Sequence, residues 1–220
     1  MKIKAVIFDM DGTLIDSLGL WDVLWRVFGD RFRKGETFIP DPETERMVRT
    51  MALREGMELM HRNCNLGASG EVVFQAADET FRSFYANAVT LKNGVREYLE
   101  YCNEKGIRMV IASATAPELI EIALEHCGVR SYFEEIFSCS VVGKGKESPD
   151  IFLHTLQWLG TNREETWVME DSYVALETAQ SAGFPTIGIY DPYNPWQDKV
   201  RQASTVYLDR GESMMKLVHS

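Results

Sequence analysis

The sequence predicts an α/β protein with a doubly wound, Rossmann-like parallel sheet and an all-α domain inserted behind its first strand. From residue 91 onward, short apolar runs rich in β-branched residues alternate with segments of helical periodicity. Residues 16–90 instead carry helical patterns with no strand between them. Because alternating strands and helices favour a parallel sheet with right-handed crossovers, we expect residues 1–15 and 91–220 to form a core domain. Residues 16–90 are then a helical cap domain.

The first strand is predicted over residues 3–8, an apolar run too short for a helix and typical of a buried parallel strand. Asp9 and Asp11 follow directly, and Gly12 then allows the backbone to turn sharply. Ligands of open α/β sheets bind beyond the carboxyl ends of the strands, which is where these carboxylates stand. Such a pair can share a hard cation and still do separate chemistry. A calcium loop is disfavoured, because no further series of oxygen ligands follows.

The inserted segment is predicted to be helical around residues 20–28 and over 43–63 and 71–87, with a polar loop at 30–42. Trp21 and Trp25 recur at helical spacing, and we interpret them as part of a core stripe rather than a cofactor site. An all-α insertion directly behind the strand that carries Asp9 and Asp11 suggests a lid, because lids exclude water and complete a site on closing.

The α/β alternation then resumes with elements that the pattern places in order. A helix over 94–105 precedes the second strand, and Pro117 opens the next helix at the position that proline favours. The expected strands are 107–112, 136–142, 166–169, 186–189 and 205–208, and the later helices are 117–128, 149–159 and 172–182.

Two further strand ends carry candidate site residues. Ser113 follows the strand at 107–112 and precedes a helix, where a hydroxyl and free N–H groups can bind a phosphoryl oxygen; the alternative is that it only caps the helix. Glu170 and Asp171 follow the strand at 166–169, and two adjacent acids attract a hard divalent cation such as Mg²⁺.

These motifs, in this order, resemble the haloacid dehalogenase-like superfamily. The resemblance lies in Val-Ile-Phe-Asp-Met-Asp-Gly-Thr-Leu at 6–14, the serine after the second strand, Lys-Glu-Ser-Pro-Asp-Ile-Phe at 146–152 and Glu-Asp-Ser at 170–172. The helical insertion between the first two motifs is similar to the subgroup with a helical cap, which includes β-phosphoglucomutase and phosphoglycolate phosphatase. Ala175 departs from the pattern, because the family usually has glycine there.

The resemblance implies a role for each motif residue. Asp9 would be the nucleophile that attacks phosphorus, and Asp11 would be a general acid and base. Lys146 would stabilise the charge of the phosphoryl group in transfer, with Lys144 as the runner-up. The substrate phosphate would be bound by Ser113, Lys146, Thr115 and Gly12. Mg²⁺ would be held by Asp9, the backbone carbonyl of Asp11, Glu170 directly or through water, and Asp171.

The expected function is a Mg²⁺-dependent phosphatase that hydrolyses a small phosphorylated metabolite, a sugar or organic phosphate monoester, through an aspartyl-phosphate. A β-phosphoglucomutase-like sugar phosphomutase is the main alternative, since Arg54 resembles the cap arginine that holds the second phosphate in that enzyme. Against it, Trp21 stands where a cap histidine is expected, and residues 71–87 contain Arg82 but no lysine.

A dehalogenase and a phosphate-binding module without activity both fit the sequence less well. A true haloacid dehalogenase attacks carbon and needs neither an acid at Asp11 nor the Glu170–Asp171 pair. A non-catalytic phosphate-binding module has no use for the complete set of acids.

Composition restricts the partners and the compartment. The net charge of −10 disfavours binding to a nucleic acid backbone, but not a small phosphorylated substrate, because a metal and one lysine can invert the potential inside a pocket. No run approaches the ~20 apolar residues of a membrane span, and no signal-peptide pattern is present. The four cysteines lack a Cys-x-x-Cys spacing, which favours reduced thiols in the cytoplasm over zinc. Protein partners are not indicated.

Overall fold

The computed structural model describes residues 2–49 and 51–219. The chain divides into two compact units. The core unit comprises the chain up to Leu18 and from Val89 onward, and the cap unit spans Gly19–Ala88. The boundaries expected from the sequence, after residue 15 and before residue 91, lie a few residues away from these.

Both units are built from regular strands and helices. The strands are β1 Ala5–Phe8, β2 Ile15–Asp16, β3 Thr90–Leu91, β4 Arg108–Ser113, β5 Glu135–Ser138, β6 Thr166–Glu170, β7 Thr186–Ile189 and β8 Val206–Leu208. The α-helices are α1 Leu20–Phe32, α2 Pro42–Val48, α3 Leu53–Cys64, α4 Gly70–Asn87, α5 Val95–Glu104, α6 Pro117–His126, α7 Cys139–Val142, α8 Asp150–Leu159, α9 Tyr173–Ser181 and α10 Gln197–Gln202. Short 3₁₀ turns occupy Arg130–Tyr132, Arg163–Glu165 and Met214–His219.

The core unit is a six-stranded parallel sheet in the order β5-β4-β1-β6-β7-β8. The first strand in the chain therefore lies inside the sheet, with β4 on one side and β6 on the other. The register pairs Phe8 with Ile111 and with Met169, so the carboxyl ends of these three strands lie level. The predicted fold class, a doubly wound parallel sheet with an inserted helical domain, is confirmed.

Apolar side chains of the strands and of the helices that cover them form the core. Ile7, Val110 and Val168 come from three neighbouring strands and pack into one buried cluster with Phe152 of α8. Ala175, at the position where the family usually has glycine, is buried in the same cluster. The extra methyl group is therefore accommodated in the packing between α9 and the sheet.

The cap unit buries its own apolar face, built from α1 to α4. Leu24 of α1 and Met57 and Met60 of α3 are fully buried. Trp25 is buried as well, and its indole N–H donates to Glu45 at 3.3 Å. Trp21 is partly exposed and contacts the ring of Trp25 at a centroid distance of 5.5 Å. Both tryptophans therefore belong to an aromatic cluster.

Three local predictions differ from the structure. The single helix expected over 43–63 is two helices, because Ala52 takes an extended backbone (ψ 138°) before α3; Thr50 lies outside the described residues. The strand expected over 136–142 is wrong beyond Ser138, whose hydroxyl accepts from the N–H of Ser140 and so begins α7. The helix expected near 20–28 continues to Phe32, inside the segment expected to be loop.

Two short strands and one helix have no counterpart among the segments that the sequence predicts. Strands β2 and β3 form an antiparallel pair with Ile15 opposite Leu91, at the two chain crossings between the units. Helix α10 begins after Trp196 and packs Val200 against the outer face of the core. Among the described residues, no helix has both the length and the apolar character needed to cross a membrane.

A matched pair of valines tests the packing of the core unit. Val110 is fully buried in β4, whereas the side chain of Val141 is 76% exposed. We expect Val110→Ala to lower the free energy of unfolding by about 2 kcal/mol, because two buried methyl groups are lost. Val141→Ala should change it by less than about 0.5 kcal/mol. Urea unfolding followed by circular dichroism measures both, and equal effects would contradict the described packing.

Candidate active site

Three carboxylates meet where β1 and β6 end side by side. Asp9 follows β1 directly, Glu170 is the last residue of β6, and Asp171 comes next in the chain. One oxygen atom from each of the three lies within 4.8 Å of the others, and all three side chains are buried. Because the two strands are paired neighbours, the sheet itself brings the acids together.

Burial makes the charged forms of these acids costly. Burial raises the pKa of Glu170 to about 7, although the ammonium of Lys146 acts in the opposite direction. Burial also raises the pKa of Asp171, and the charges of Glu170 and Asp9 add to the effect. Carboxylate oxygens are the ligands that Mg²⁺ prefers, and a dication would offset this excess of negative charge. The residues present therefore fit a divalent metal.

Lys146 reaches the same cluster from the loop before α8. Its ammonium donates to Oδ1 of Asp9 at 2.5 Å and also to Glu170, and its side chain is only 11% exposed. Burial lowers the pKa of Lys146, but the two carboxylates outweigh it and raise the pKa above its ordinary value, so the side chain stays cationic. Lys144 is 57% exposed and pairs with Asp150 at 2.9 Å. The structure thus places Lys146, and not Lys144, beside the nucleophile candidate.

The end of β4 supplies hydroxyl groups on the other side of β1. Ser113 is buried, and its Oγ accepts from the N–H of Thr115 at 3.2 Å. The N-cap of α6 is Ala116, so Ser113 does not cap that helix. Oγ1 of Thr115 donates to Oδ2 of Asp11 at 2.7 Å. Among the described residues, the three carboxylates that could hold a metal ion do not include that of Asp11.

Gly12 lies in close contact with Asp171. It has a left-handed backbone (φ +76°), and a Cβ placed on it would lie 2.7 Å from Oδ2 of Asp171. The next residue, Thr13, is fully buried, and its Oγ1 donates to Oδ1 of Asp171 at 3.3 Å. Glycine is therefore required here for its conformation and for the space that it leaves to the carboxylate.

Sequence reasoning missed several polar residues around these acids. Besides Thr13, they include Ser138, which donates to the carbonyl of Thr115 at 2.8 Å, and Asn194, which donates to the carbonyl of Asp171 at 2.6 Å. Asp191 and Asn194 follow β7, so the rule that site residues follow strand ends could have found them. The remaining predicted contact, Arg54, lies in the cap unit, where it pairs with Glu71 and stacks on Phe74 at 3.8 Å.

Several known proteins are similar to this chain in sequence or in fold. The chain is 27% identical to a phosphorylated carbohydrates phosphatase of Thermotoga maritima over 98% of both chains. It is 29% identical to hexitol phosphatase B of Escherichia coli over 87% of this chain and 85% of that protein. The structure superposes with a TM-score of 0.81 on a Thermotoga maritima protein provisionally described as a beta-phosphoglucomutase, at 26% identity over 99% of each chain.

A family comparison covers most of the chain. Residues 3–183 match the haloacid dehalogenase-like hydrolases, a range that includes Asp9, Ser113, Lys146 and both acids after β6. The resemblance stated from the sequence motifs is confirmed, and the chain belongs to the haloacid dehalogenase-like hydrolase family.

Proposed function

We propose that this enzyme is a Mg²⁺-dependent phosphatase that hydrolyses the phosphate monoester of a small sugar or related organic metabolite through an aspartyl-phosphate. The observation that carries the proposal is the buried cluster of Asp9, Glu170 and Asp171 with Lys146 bonded to Asp9. The family match and the two phosphatase relatives confirm the predicted enzyme class, a phosphatase of this family. The names of those relatives favour a phosphorylated sugar or sugar alcohol as substrate.

Asp9 is the proposed nucleophile. Its carboxylate oxygen would attack phosphorus in line, forming an acyl phosphate while the bond from phosphorus to the leaving oxygen breaks. Water then attacks the same phosphorus, which releases inorganic phosphate and restores the carboxylate. Mg²⁺ held by Asp9, Glu170, Asp171 and the carbonyl of Asp11 would, when bound, offset the repulsion between the nucleophile and an anionic phosphate.

Asp11 is the proposed general acid and base. It would give its proton to the departing alkoxide in the first step and take one from the attacking water in the second. The hydrogen bond that it accepts from Thr115 holds its carboxyl group in one orientation. Thr115, predicted from the sequence as a phosphate contact, would then act on Asp11 as well.

Lys146 and Ser113 are the proposed phosphate contacts. The ammonium of Lys146 already neighbours Asp9, so it lies where negative charge develops on the equatorial oxygens in transfer. Ser113 ends the strand next to β1, and Gly12 follows the nucleophile in the same turn. Lys146, Ser113 and Gly12 can all contact the substrate if its phosphate binds next to the carboxylate oxygen of Asp9 that attacks phosphorus.

Phosphatase activity is favoured over mutase activity by the state of the cap side chains. A mutase needs cationic groups for a second phosphate, but Arg54 is already paired with Glu71. Arg82, the basic residue of the segment at 71–87, pairs with Asp78. Trp21, where the cap histidine is expected, packs edge-on against Phe81. The cap unit thus offers little uncompensated positive charge near these positions.

The composition of the chain bears on its partner and on its location. A small phosphorylated metabolite is the proposed partner, and binding to nucleic acid stays disfavoured by the net charge of −10. The cytoplasm is the proposed location, on the sequence argument from four cysteines that are free thiols in the structure.

Replacing the nucleophile tests the covalent mechanism. We expect Asp9→Asn to lower kcat on sugar phosphates by on the order of 10³-fold or more, because the amide keeps the shape but cannot form the acyl phosphate. The matched control is Asp198→Asn, since Asp198 is exposed on α10 and should leave turnover unchanged. Phosphate release with and without Mg²⁺ measures both variants. Near-normal turnover of Asp9→Asn would refute nucleophilic catalysis by Asp9.

A product assay separates the phosphatase from the mutase. The enzyme receives β-glucose 1-phosphate with and without catalytic amounts of glucose 1,6-bisphosphate, and glucose 6-phosphate and free phosphate are measured separately. We expect free phosphate without any requirement for the bisphosphate. Primer-dependent glucose 6-phosphate with little free phosphate would instead establish the mutase and make Arg54 its distal phosphate ligand.

Gly12→Ala tests the close approach to Asp171, with Gly106→Ala as control. Both glycines have a positive φ, but nothing lies within 4 Å of a Cβ on Gly106. Each substitution should cost about 1–2 kcal/mol of stability, from the left-handed conformation. Gly12→Ala should also raise the Mg²⁺ concentration for half-maximal activity by roughly 10-fold, because Asp171 is displaced. Equal Mg²⁺ requirements in the two variants would show that the contact has no effect on the metal.

A further inference from the structure

We propose that Asn194, held in place by the partly buried Lys92–Asp191 ion pair, positions Asp171 to bind Mg²⁺. We call these three residues, Asn194, Lys92 and Asp191, the clasp. The inference rests on the proposed Mg²⁺ site and adds to it the residues that set the affinity for the metal. All of them belong to the core unit.

Asp171 lies in a turn where regular structure no longer fixes its backbone. Pairing between β6 and β7 ends at Glu170, and α9 begins only at Tyr173. The side-chain amide of Asn194 donates to the carbonyl oxygen of Asp171 at 2.6 Å. This hydrogen bond connects the turn to a residue that belongs neither to β6 nor to α9. The position of the carboxylate then depends on Asn194, which holds the backbone, as well as on Thr13, which donates to the carboxylate itself.

Asn194 is held by a compact loop between β7 and α10. The carboxylate of Asp191 accepts from the N–H of Tyr193 at 2.9 Å, and its carbonyl accepts from the N–H of Asn194 at 3.1 Å. Oδ1 of Asn194 accepts from the N–H of Trp196 at 2.9 Å. The amide group is thus fixed through its oxygen while its nitrogen points to Asp171.

Lys92 anchors this loop to the segment that follows the nucleophile. Its ammonium donates to Oδ2 of Asp191 at 2.6 Å and to the carbonyl of Tyr190 at 3.0 Å. The backbone N–H of Lys92 donates to the carbonyl of Leu14 at 2.9 Å. Asp191 is 1% exposed. A buried ion pair is weak evidence for stability, because desolvation of both groups offsets the attraction, and fixing a geometry is a better-supported role.

The test is metal binding in the absence of substrate. Calorimetric titration of Mg²⁺ into Asn194→Ala should give a dissociation constant roughly 10–100-fold higher than that of the wild-type enzyme, the usual effect of losing a partner behind a metal ligand. The matched control is Asn93→Ala, since Asn93 is an exposed asparagine of the core unit whose side-chain amide donates to the carbonyl of Gly211 at a long distance of 3.5 Å. That variant should bind Mg²⁺ as the wild type does. Thermal unfolding in EDTA confirms that each variant is folded.

A double-mutant cycle tests the role of Lys92. Lys92→Met should weaken Mg²⁺ binding several-fold in the wild-type background, but by less than about twofold when Asn194 is already alanine. If the Lys92→Met variant fails to fold because Asp191 loses its counter-charge, a second variant is used. The double variant Lys92→Met/Asp191→Asn, which removes both charges, then takes the place of Lys92→Met in the cycle. Additive effects would show that Lys92 acts independently of Asn194.

The outcomes separate this inference from the proposed function. Mg²⁺ binding to the wild type, lost in Asp171→Asn, supports the proposed metal site. With that site present, a folded Asn194→Ala variant of unchanged Mg²⁺ affinity would overturn the clasp alone. A wild-type enzyme that binds no Mg²⁺ would overturn both.

Discussion

The structure depends on one unfavourable arrangement, three carboxylates buried together at the ends of two neighbouring strands. Asp9, Glu170 and Asp171 repel one another in a region with little water, and the raised pKa of Glu170 shows that cost. Lys146 compensates part of the negative charge, and a divalent cation would compensate the rest. The buried acids therefore form a group that could hold a metal ion.

The surrounding fold holds these groups where they would not stay unaided. Strand β1 lies between β4 and β6, so its carboxyl end faces the hydroxyl groups of one neighbour and the acids of the other. Gly12 lets the chain turn beside Asp171 without a clash, and Thr13 donates to the same carboxylate. The loop after β7 adds a hydrogen bond from the side-chain amide of Asn194 to the backbone carbonyl of Asp171. Asp171 is thus held both through its carboxylate and through its backbone carbonyl.

The sequence predicts the parts of this arrangement that follow from strand ends. Asp9, Ser113 and Glu170 each stand directly after or at the end of an apolar run, and level parallel strands bring such positions to one edge. The position of Asn194 after β7 follows the same rule, but its bond to the carbonyl of Asp171 could not be predicted, because such a bond carries no spacing motif. The pattern predicts strand where the short helix α7 lies, because Cys-Ser-Val-Val fits either structure, and the cap at Ser138 decides between them.

The β2–β3 ribbon has a consequence for how this enzyme can change. The chain leaves the core unit after β2 and returns through β3, and Ile15 and Leu91 are paired across the ribbon. Both junctions of Gly19–Ala88 therefore lie at one place on the core, on strands that pair with each other. A different helical segment spliced between them would meet the same two anchor points. Recombination at these junctions would exchange the whole helical unit and leave Asp9, Glu170 and Asp171 in the core unit untouched.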